Sequence, residues 1–598
     1  MTISLSQSSS SAISTQPNHV LWWILGLVLP MAILTLRGAP TFAEMGIPFD
    51  TAHSYLPLAK RFLENPAELF SSTDILKSAP GTLVYMASLG ADLLAIKTAN
   101  LAMALAILVM LFDIGRRVAG PSAAVAGAWL YAASPLLFPL SFIPMMEPPF
   151  LFFLVLWFWS TTCCILARPK AWIVVPSIIF AGLAMAAATL TRATYMYWLP
   201  AGVFLFGALA LRPLWGDREI WRRLALIHLV ALTCIGAYMV RNAHEFGKPV
   251  IAVGAGAALY FGSNPMLDGQ EPPYFGLPHD EGWITGAATH LSIEGDARLV
   301  STARLILADA PPLSVAKMYL HKAGSILFFS KSHLKNYVDR IWRSLLLTLS
   351  VISIWLGRRH PLIILLAGAT IYQWAVHVPA LYNQRYSISA LEIPLTILAA
   401  TGVGFLLQQK NRALMIFCTA ICAFLTTLGA VWHQRYSSPS LLDLEAIPHQ
   451  LIRAANSKEL QVSGFDADPF QDLSITSSGH INIRWTGDFP HFDPSNILRL
   501  RIKNIEGSCQ RAIIKLTSTE GQTRSDDIRL KEFKAGQDFA RGMLYLGLPG
   551  NAKTIELILE CKAGSRIQFS ELSIYQASLG QFYSKKKSEA ASHLTTPP

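Results

Sequence analysis

Long apolar runs alternate with short polar connections over roughly the first 431 residues of the chain. Each run can cross the hydrocarbon core of a bilayer as one helix, which takes about 20 residues. About eleven spans are predicted, so the chain is expected to be a polytopic α-helical membrane protein. The predicted spans are residues 20–36, 96–115, 122–141, 149–167, 172–190, 194–211, 224–240, 342–357, 361–380, 388–407 and 413–431.

The basic residues of the short connections predict the orientation of these spans. Arg and Lys concentrate in alternate loops, for example at Arg116, Arg358 and Lys410. Such loops are cytoplasmic by the positive-inside rule, which also places the polar N-terminus, residues 1–19, in the cytoplasm. The opposite connections then face the exterior, and an odd number of spans places the C-terminal region there too. The predicted exterior segments are residues 37–95, 142–148, 241–341, 381–387 and 432–598.

The pattern changes after the last apolar run. From about residue 460 it consists of short β-rich runs such as LQVSGFD, ILRLRIKNI and TIELILEC, separated by Gly, Asn, Asp and Pro. This predicts a linker at 432–459, an exported β-sandwich of jelly-roll type at 460–577, and a disordered Lys- and Ser-rich tail at 578–598. Trp485 and Phe492 in this region are either sugar-stacking or core residues.

The cysteines divide between the two patterns. Five of the seven lie in apolar runs, where cysteine behaves as a small hydrophobic residue. Only Cys509 and Cys561 lie in the polar region. They could pair in an exported domain, but their spacing alone does not show it.

Composition excludes several classes of function. Hydrophobic residues make up 52% of the 598 residues and charged residues only 15%. This composition is typical of a membrane protein and not of a single soluble domain. The net charge of +11 is spread over loops and the tail, so membrane lipids are expected partners and nucleic acid is not. The sequence has no Walker loop, which argues against an ATP-driven pump.

Two carboxylates occupy turns on the predicted exterior side. Asp50 stands at the head of the amphipathic stretch FDTAHSYLPLAKRFLENP, and Glu147 precedes two prolines in FIPMMEPPF. Asp50 alone is also explained as a helix N-cap, because an Asp side chain accepts hydrogen bonds from the first turn.

Cations occupy other turns on the same side, at Lys77, Arg241 and Arg385. Guanidinium and ammonium groups in such places suit a phosphate at the membrane interface. Snorkelling to lipid headgroups explains any one of them alone, and a packed, satisfied side chain explains His377 alone. The recurrence of acids and bases on several exterior turns favours a site.

Several stretches in order resemble the GT-C superfamily of membrane glycosyltransferases. AYMVRNAHEFGKPVIAVGAGAALYFGSNP has the Arg-Asn helix exit, Phe-Gly turn and Gly-Asn-Pro-like turn of that superfamily. FDTAHSYLPLAKRFLENP and the following LKSAPGTLVYMASLGADLLAIKTANLAMA look like the first exterior loop and second span of the protein mannosyltransferase and lipid A aminoarabinose transferase branch. MMEPPFLFFLVL and NQRYSISALEIPL continue the resemblance, which covers residues 20–431 and not the β-domain.

The resemblance implies a GT-C fold in the cytoplasmic (inner) membrane. It implies a transferase that moves a sugar from a polyprenyl-phosphate donor to a lipid, glycan or protein acceptor on the periplasmic face. Asp50 matches an acid whose implied role is general base toward the acceptor hydroxyl or orientation of the reacting groups, and Glu147 matches a second recurrent acid, either a catalytic helper or a structural residue. The residues expected to hold the donor phosphate are Lys77, Arg241 and Arg385, with Tyr55, Asn242, His377 and Tyr386 in support.

The chain departs from these relatives at two places. Thr51 follows Asp50 where many relatives have a second acid, and Lys77 is offset from a Pro-Pro pair because the sequence reads Lys77-Ser78-Ala79-Pro80-Gly81. Some relatives use a divalent metal cation, but no tight ligand spacing predicts a metal site here. No cofactor is therefore assigned, and the sequence does not decide whether the protein uses a divalent cation.

Two other functions remain open from the sequence. The chain could be a transporter or flippase of lipid-linked sugars, but such proteins place ionisable groups near the bilayer midplane. Arg192 comes closest to such a charge, and it falls near a helix end. The chain could also be a non-catalytic glycan assembly factor whose β-domain binds a partner.

Overall fold

The protein is described from a computed structural model. The residues that it describes are 22–44, 48, 50–166, 171–212, 217–263, 290–310, 312–328, 337–409, 412–436, 449–456, 459–462, 470, 473–474, 479–489, 496–506, 509–519, 521, 523–529, 538–542, 552–561 and 564–577. The predicted disordered tail and Phe492 lie outside these residues. The chain forms two compact units, one holding the helices up to Tyr436 and the other the strands from His449.

The first unit is helical throughout. Its helices are Leu29–Glu44, Leu56–Glu64, Pro66–Ser71, Pro80–Ser88, Leu93–Ala119, Pro121–Ala132, Leu137–Phe142, Glu147–Leu166, Ala171–Thr191, Trp198–Leu211, Arg218–Phe246, Ala255–Gly262, Ile293–Asp309, Pro312–Phe328, Tyr337–Leu356, Pro361–His377, Gln384–Gln409 and Arg412–Tyr436. Short π-helical turns at Ile24–Val28 and Thr51–Tyr55 lead into two of these helices, and 3-10 turns lie at Thr73–Lys77 and Ala193–Tyr195.

Apolar helices support a multi-pass membrane protein. Six helices of the described residues are long and apolar enough to cross a membrane, and three shorter apolar helices accompany them. The six are Leu93–Ala119, Glu147–Leu166, Ile173–Thr191, Ala193–Leu211, Arg218–Phe246 and Arg385–Gln409. The predicted total of about eleven spans stays a prediction.

One predicted span, residues 122–141, is divided into two helices. Ser134 and Pro135 interrupt it, and the buried Ser134 hydroxyl accepts hydrogen bonds from the N–H groups of Leu136 and Leu137 at 3.3 and 3.0 Å. A residue before proline avoids the helical conformation, and a serine at this point offers the next helix a partner for its free N–H groups. The chain therefore turns within the apolar run.

The second unit contains two five-stranded antiparallel sheets. One has the order β1-β10-β5-β8 with β3 also paired to β10, and the other the order β2-β4-β9-β6-β7. The strands are β1 His449–Ala454, β2 Leu460–Val462, β3 Leu473–Ser474, β4 Gly479–Thr486, β5 Asn496–Glu506, β6 Cys509–Ser518, β7 Thr523–Arg529, β8 Asp538–Gly542, β9 Ala552–Cys561 and β10 Arg566–Ala577. The jelly-roll topology stays a prediction.

Buried side chains identify the core of this unit. Trp485 on β4 is fully buried, and its ring contacts Phe489 edge to face. Its indole N–H donates to Glu459 at 3.1 Å. Trp485 is therefore a core residue rather than an exposed sugar platform. Strand β1 and the end of the Arg412–Tyr436 helix both lie within residues 432–459, the predicted linker.

Candidate active site

Asp50 begins the short π-helical turn Thr51–Tyr55 but does not cap it. Its backbone is helical and its carboxylate makes no capping hydrogen bond to the turn. The carboxylate instead lies 3.2 Å from Nη1 of Arg385, with 43% of the side chain exposed. The alternative interpretation of Asp50 as an N-cap therefore does not account for its side chain.

Glu147 is the first residue of helix Glu147–Leu166 and is fully buried. The prolines that follow it fit the first turn, where N–H groups have no helical partner. Its carboxylate lies 3.0 Å from Nε of Arg385 and 3.8 Å from Nη1 of Arg192. Among the described residues neither carboxylate oxygen has a well-aligned hydrogen-bond partner. Its stabilisation is mainly by charge, to which the positive end of its own helix adds.

Arg385 joins the two acids. It lies at the start of helix Gln384–Gln409, where its backbone N–H donates to Asn383 Oδ1 at 2.8 Å. One edge of the guanidinium faces Asp50 and another faces Glu147. The planar fork of donors allows this sharing, which a lysine could not reproduce. The side chain of Arg385 is 25% exposed, while its Nε, which faces Glu147, is buried.

Arg192 completes the cluster, although the sequence did not mark it as a site residue. It follows helix Ala171–Thr191 in an extended conformation, and it is buried. Its guanidinium donates to the hydroxyl of Ser389 and lies 4.9 Å from the ring centroid of Tyr386. The same ring lies 5.2 Å from the guanidinium carbon of Arg385. Tyr386 thus contacts both cations.

Polar contacts hold the Asp50 and Glu147 segments together. The buried Thr51 donates its hydroxyl to the carbonyl of Pro144 at 2.6 Å. Asn100 donates to the carbonyl of Ile143 at 3.0 Å and accepts from the hydroxyl of Tyr85 at 2.6 Å. The residue that replaces a second acid, Thr51, is therefore a structural link to the turn before Glu147.

A close backbone approach sets the position of Arg192. A Cβ atom at Gly81 would lie 2.8 Å from the backbone nitrogen of Thr191 and 2.9 Å from the carbonyl carbon of Leu190. Thr82 next to it donates to the Thr191 carbonyl at 3.2 Å. Glycine lets the two backbones pack at this distance.

Tyr55 and His377 lie close to the cluster. Burial raises the pKa of Tyr55, and the negative charges of Asp50 and Glu147 raise it further. The phenol therefore stays protonated and can donate. His377 is buried within electrostatic range of Arg192, and its Nδ1 contacts the Gln373 carbonyl at 2.7 Å. Because a carbonyl can only accept, Nδ1 of His377 is the donor in this contact.

The other predicted cations have partners elsewhere. Lys77 lies 2.7 Å from Asp74, which also pairs with Arg61 at 2.5 Å. Arg241 donates to Asn242 Oδ1 at 2.8 Å and to the carbonyl of Phe70.

Asn242 is buried and donates to the Val250 carbonyl at 2.7 Å. Arg241 and Asn242 therefore hold loop backbone, whereas Lys77, which is 40% exposed, can exchange its partner.

The assembled group can bind an anion and accept a proton. Two carboxylates and two guanidinium groups balance in charge, with one acid buried and the other open to solvent. The described residues hold no group of three His, Cys, Asp or Glu side chains suited to a divalent cation, and both acids of the cluster pair with Arg385.

No family model and no curated protein sequence matches the chain. Solved structures are similar in part. The oligosaccharyltransferase AglB from Archaeoglobus fulgidus, in complex with an inhibitory peptide and a dolichol-phosphate, has a TM-score of 0.41 and 13% identity. The match covers 72% of this chain and 58% of AglB. The AglB structure in complex with Zn and sulfate has a TM-score of 0.37 and 13% identity. That match covers 69% of this chain and 53% of the AglB chain.

ArnT from Cupriavidus metallidurans, bound to undecaprenyl phosphate, is also similar, with a TM-score of 0.29 and 15% identity over 65% of this chain and 78% of ArnT. AglB and ArnT are GT-C membrane glycosyltransferases, the superfamily that the sequence resembles. The chain spans little more than half of the AglB length.

Proposed function

We propose that the protein is a membrane glycosyltransferase that moves a sugar from a polyprenyl-phosphate donor to a hydroxyl acceptor, with Asp50 as base. The observation that carries the proposal is the sharing of Arg385 between the half-exposed Asp50 and the fully buried Glu147. A structural ion pair needs only one acid. When two acids share one accessible guanidinium, another anion can replace one acid while the other acid keeps the guanidinium in place.

Different exposure gives the two acids different roles. A base must come within hydrogen-bond reach of the proton that it removes. The half-exposed carboxylate of Asp50 is open to an acceptor hydroxyl, whereas the carboxylate of Glu147 has no accessible surface. Glu147 is proposed to orient Arg385 and Arg192, and Asp50 to receive the proton of the acceptor hydroxyl.

Arg385 is proposed to bind the donor phosphate through the edge that faces Asp50. Arginine pairs with phosphate through two parallel hydrogen bonds, so a phosphate competes well with one carboxylate oxygen at 3.2 Å. Its arrival frees Asp50 to act as base. Arg385 then stays beside the oxygen on which charge grows as the sugar leaves. Tyr55 and Tyr386 are proposed to line this position, and Lys77 to reach it by exchanging Asp74 for phosphate.

The chemical step balances as a displacement at the anomeric carbon. The acceptor oxygen forms a bond to that carbon while its proton passes to Asp50. The bond from the carbon to the phosphate oxygen breaks, and polyprenyl phosphate leaves with the electron pair. Inversion at the anomeric carbon is proposed for this single step. The lipid of the donor would stay among the apolar helices beside the site, and the acceptor is a lipid, glycan or protein hydroxyl on the predicted exterior face of the inner membrane.

Release of polyprenyl phosphate tests the activity. Purified protein would be given a panel of polyprenyl-phosphate sugars with a membrane extract as acceptor pool. We expect release of free polyprenyl phosphate from one donor, coupled to a glycosylated acceptor. No release from any donor by folded protein would contradict the proposal.

A transporter or flippase of lipid-linked sugars is the second candidate, favoured by a buried ion pair. Arg343 and Glu392 lie 2.7 Å apart between helices Tyr337–Leu356 and Gln384–Gln409, and both are fully buried. Ionisable pairs inside a helical membrane unit are a common feature of transport pathways. Counterflow of a labelled lipid-linked sugar in sealed vesicles, without bond cleavage, would identify this function.

A further inference from the structure

The only two cysteines of the β-unit occupy opposed positions on neighbouring strands. Cys509 is the first residue of β6 and Cys561 the last residue of β9, and the two are partners in the antiparallel register. They are more than fifty residues apart along the chain, so the sequence spacing alone does not indicate this juxtaposition. Every other cysteine belongs to the helical unit.

Opposed residues of antiparallel strands have the separation that a disulfide needs. Their Cα atoms lie about 4.5 Å apart in a pair that is not hydrogen-bonded and about 5.5 Å apart in a hydrogen-bonded pair. A disulfide accepts Cα separations of about 4.4 to 6.8 Å. Opposed residues in both kinds of pair therefore meet the Cα criterion for a disulfide.

The surroundings in the sheet suit a cross-link at this position. The register of β6 and β9 shifts between Cys509 and Arg511, so the ladder is irregular directly beside the pair. On the other side of β9, the register partner of Cys561 is Gly479, which has no side chain. A covalent bond would close the end of the strand pair where regular pairing becomes weakest.

We propose that Cys509 and Cys561 form an intramolecular disulfide. Each thiol loses one proton and one electron as the S–S bond forms. The oxidant is another disulfide, supplied by an exported thiol–disulfide oxidoreductase, which is reduced to a dithiol by exchange. Such bonds persist in exported regions and are rare in the cytosol. The bond would thus also place the β-unit outside the cytoplasm, independently of the proposed transferase activity.

Thiol trapping in intact cells tests the bond. Cells making the full-length protein would be treated with a membrane-permeant maleimide, then denatured with more maleimide so that burial protects no thiol. We expect Cys509 and Cys561 to stay unmodified until a reductant is added, and their peptides to be recovered as one linked species. The five cysteines of the helical unit should react without reduction and serve as the internal control.

A single-cysteine variant excludes other causes of protection. In Cys509→Ser we expect Cys561 to react with maleimide before reduction, because its partner is gone. The readout is made on denatured protein, so it does not require the variant to fold. Modification of both cysteines in the wild type before reduction, or continued protection of Cys561 in the variant, would overturn the proposal.

Discussion

The guanidinium of Arg385 lies 3.0 Å from the carboxylate of Glu147, although the two residues belong to helices far apart in the sequence. Glu147 is fully buried, so Arg385 and the more distant Arg192 are the charges that compensate it among the described residues. The side chain of Arg385 is 25% exposed, and its Nη1 lies 3.2 Å from Asp50. This one side chain therefore links the stability of the helical unit to the chemistry of the site.

Removal of Arg385 should destabilise the protein through Glu147. An Arg385→Gln variant leaves a buried carboxylate with only a 3.8 Å ion pair, and breaking a buried pair costs about 3–5 kcal/mol. The double variant Arg385→Gln/Glu147→Gln should recover much of that loss but none of the activity. Thermal unfolding and polyprenyl phosphate release of the three proteins check this. Equal instability of the single and double variants would contradict the role given to Glu147.

Substitution of Gly81 should lower activity without a change in charge. Alanine there would meet backbone atoms of Leu190 and Thr191 that cannot move aside cheaply, so Arg192 is displaced. A misplacement of about 1 Å can cost about 100-fold in rate. The control is Gly236→Ala, because a Cβ at that helical glycine meets nothing within 4 Å. Equal rates of release for both variants would show that this backbone contact does not position Arg192.

The ion pairs of Asp74 should give the unfolding temperature a dependence on pH. Hydrogen bonds from Lys77 and then Arg61 lower the pKa of Asp74 below its ordinary 3.8. A lowered folded-state pKa stabilises the protein above the unfolded-state value, and the contribution is lost as pH falls through the folded-state pKa. Wild type should therefore exceed Asp74→Asn in melting temperature at pH 6, and the difference should shrink as pH falls below 3.8.

A difference between these melting temperatures that does not change with pH would contradict the ion-pair account. The variant Glu68→Gln gives a matched control. Glu68 pairs with the same Arg61 at 3.3 Å, but 62% of its side chain is exposed. Exposed pairs contribute about 0–1 kcal/mol, so this variant should follow the wild type.

Variants of the buried pair Arg343 and Glu392 distinguish the transferase from the transporter. Glu392→Gln alone should destabilise by about 3–5 kcal/mol, because it removes the carboxylate that lies 2.7 Å from the buried guanidinium of Arg343. The double variant Arg343→Met/Glu392→Leu should restore stability, since well-packed apolar residues can replace a buried pair. Polyprenyl phosphate release should persist in the stable double variant. Loss of lipid-linked sugar counterflow in that variant, with no release in the wild type, would favour the transporter.

The sequence located most of the cluster but missed one member. Asp50, Glu147 and Arg385 stand on predicted exterior turns, and the structure brings them together. Arg192 lies between two apolar runs, where an arginine is commonly a helix-end charge; only the packing of helix Gln384–Gln409 gives it Ser389 as a partner. Lys77 has a partner three residues away because the local turn is a 3-10 helix, which the sequence did not indicate.

In the β-unit, the strands that the sequence pattern did not predict share a physical property. The β-rich runs LQVSGFD, ILRLRIKNI and TIELILEC coincide with β2, β5 and β9, whereas β1, β7 and β8 were not expected. All three lie at sheet edges, and β7 has the charged sequence TRSDDIR. An edge strand can carry charges that prevent further pairing, so it lacks the apolar pattern by which strands are predicted.

The most direct test of the central claim is polyprenyl phosphate release by wild type, Asp50→Asn and Glu68→Gln, with the donor that the wild type uses. Asn keeps the size of the side chain but cannot accept the hydroxyl proton as a base. We predict that Asp50→Asn folds like the wild type and loses at least about 100-fold in the rate of release, within the range for one acid–base residue. Glu68→Gln, which removes an exposed acid of the same segment, should keep the wild-type rate. Equal release by folded Asp50→Asn and wild type would contradict the assignment of Asp50 as the base.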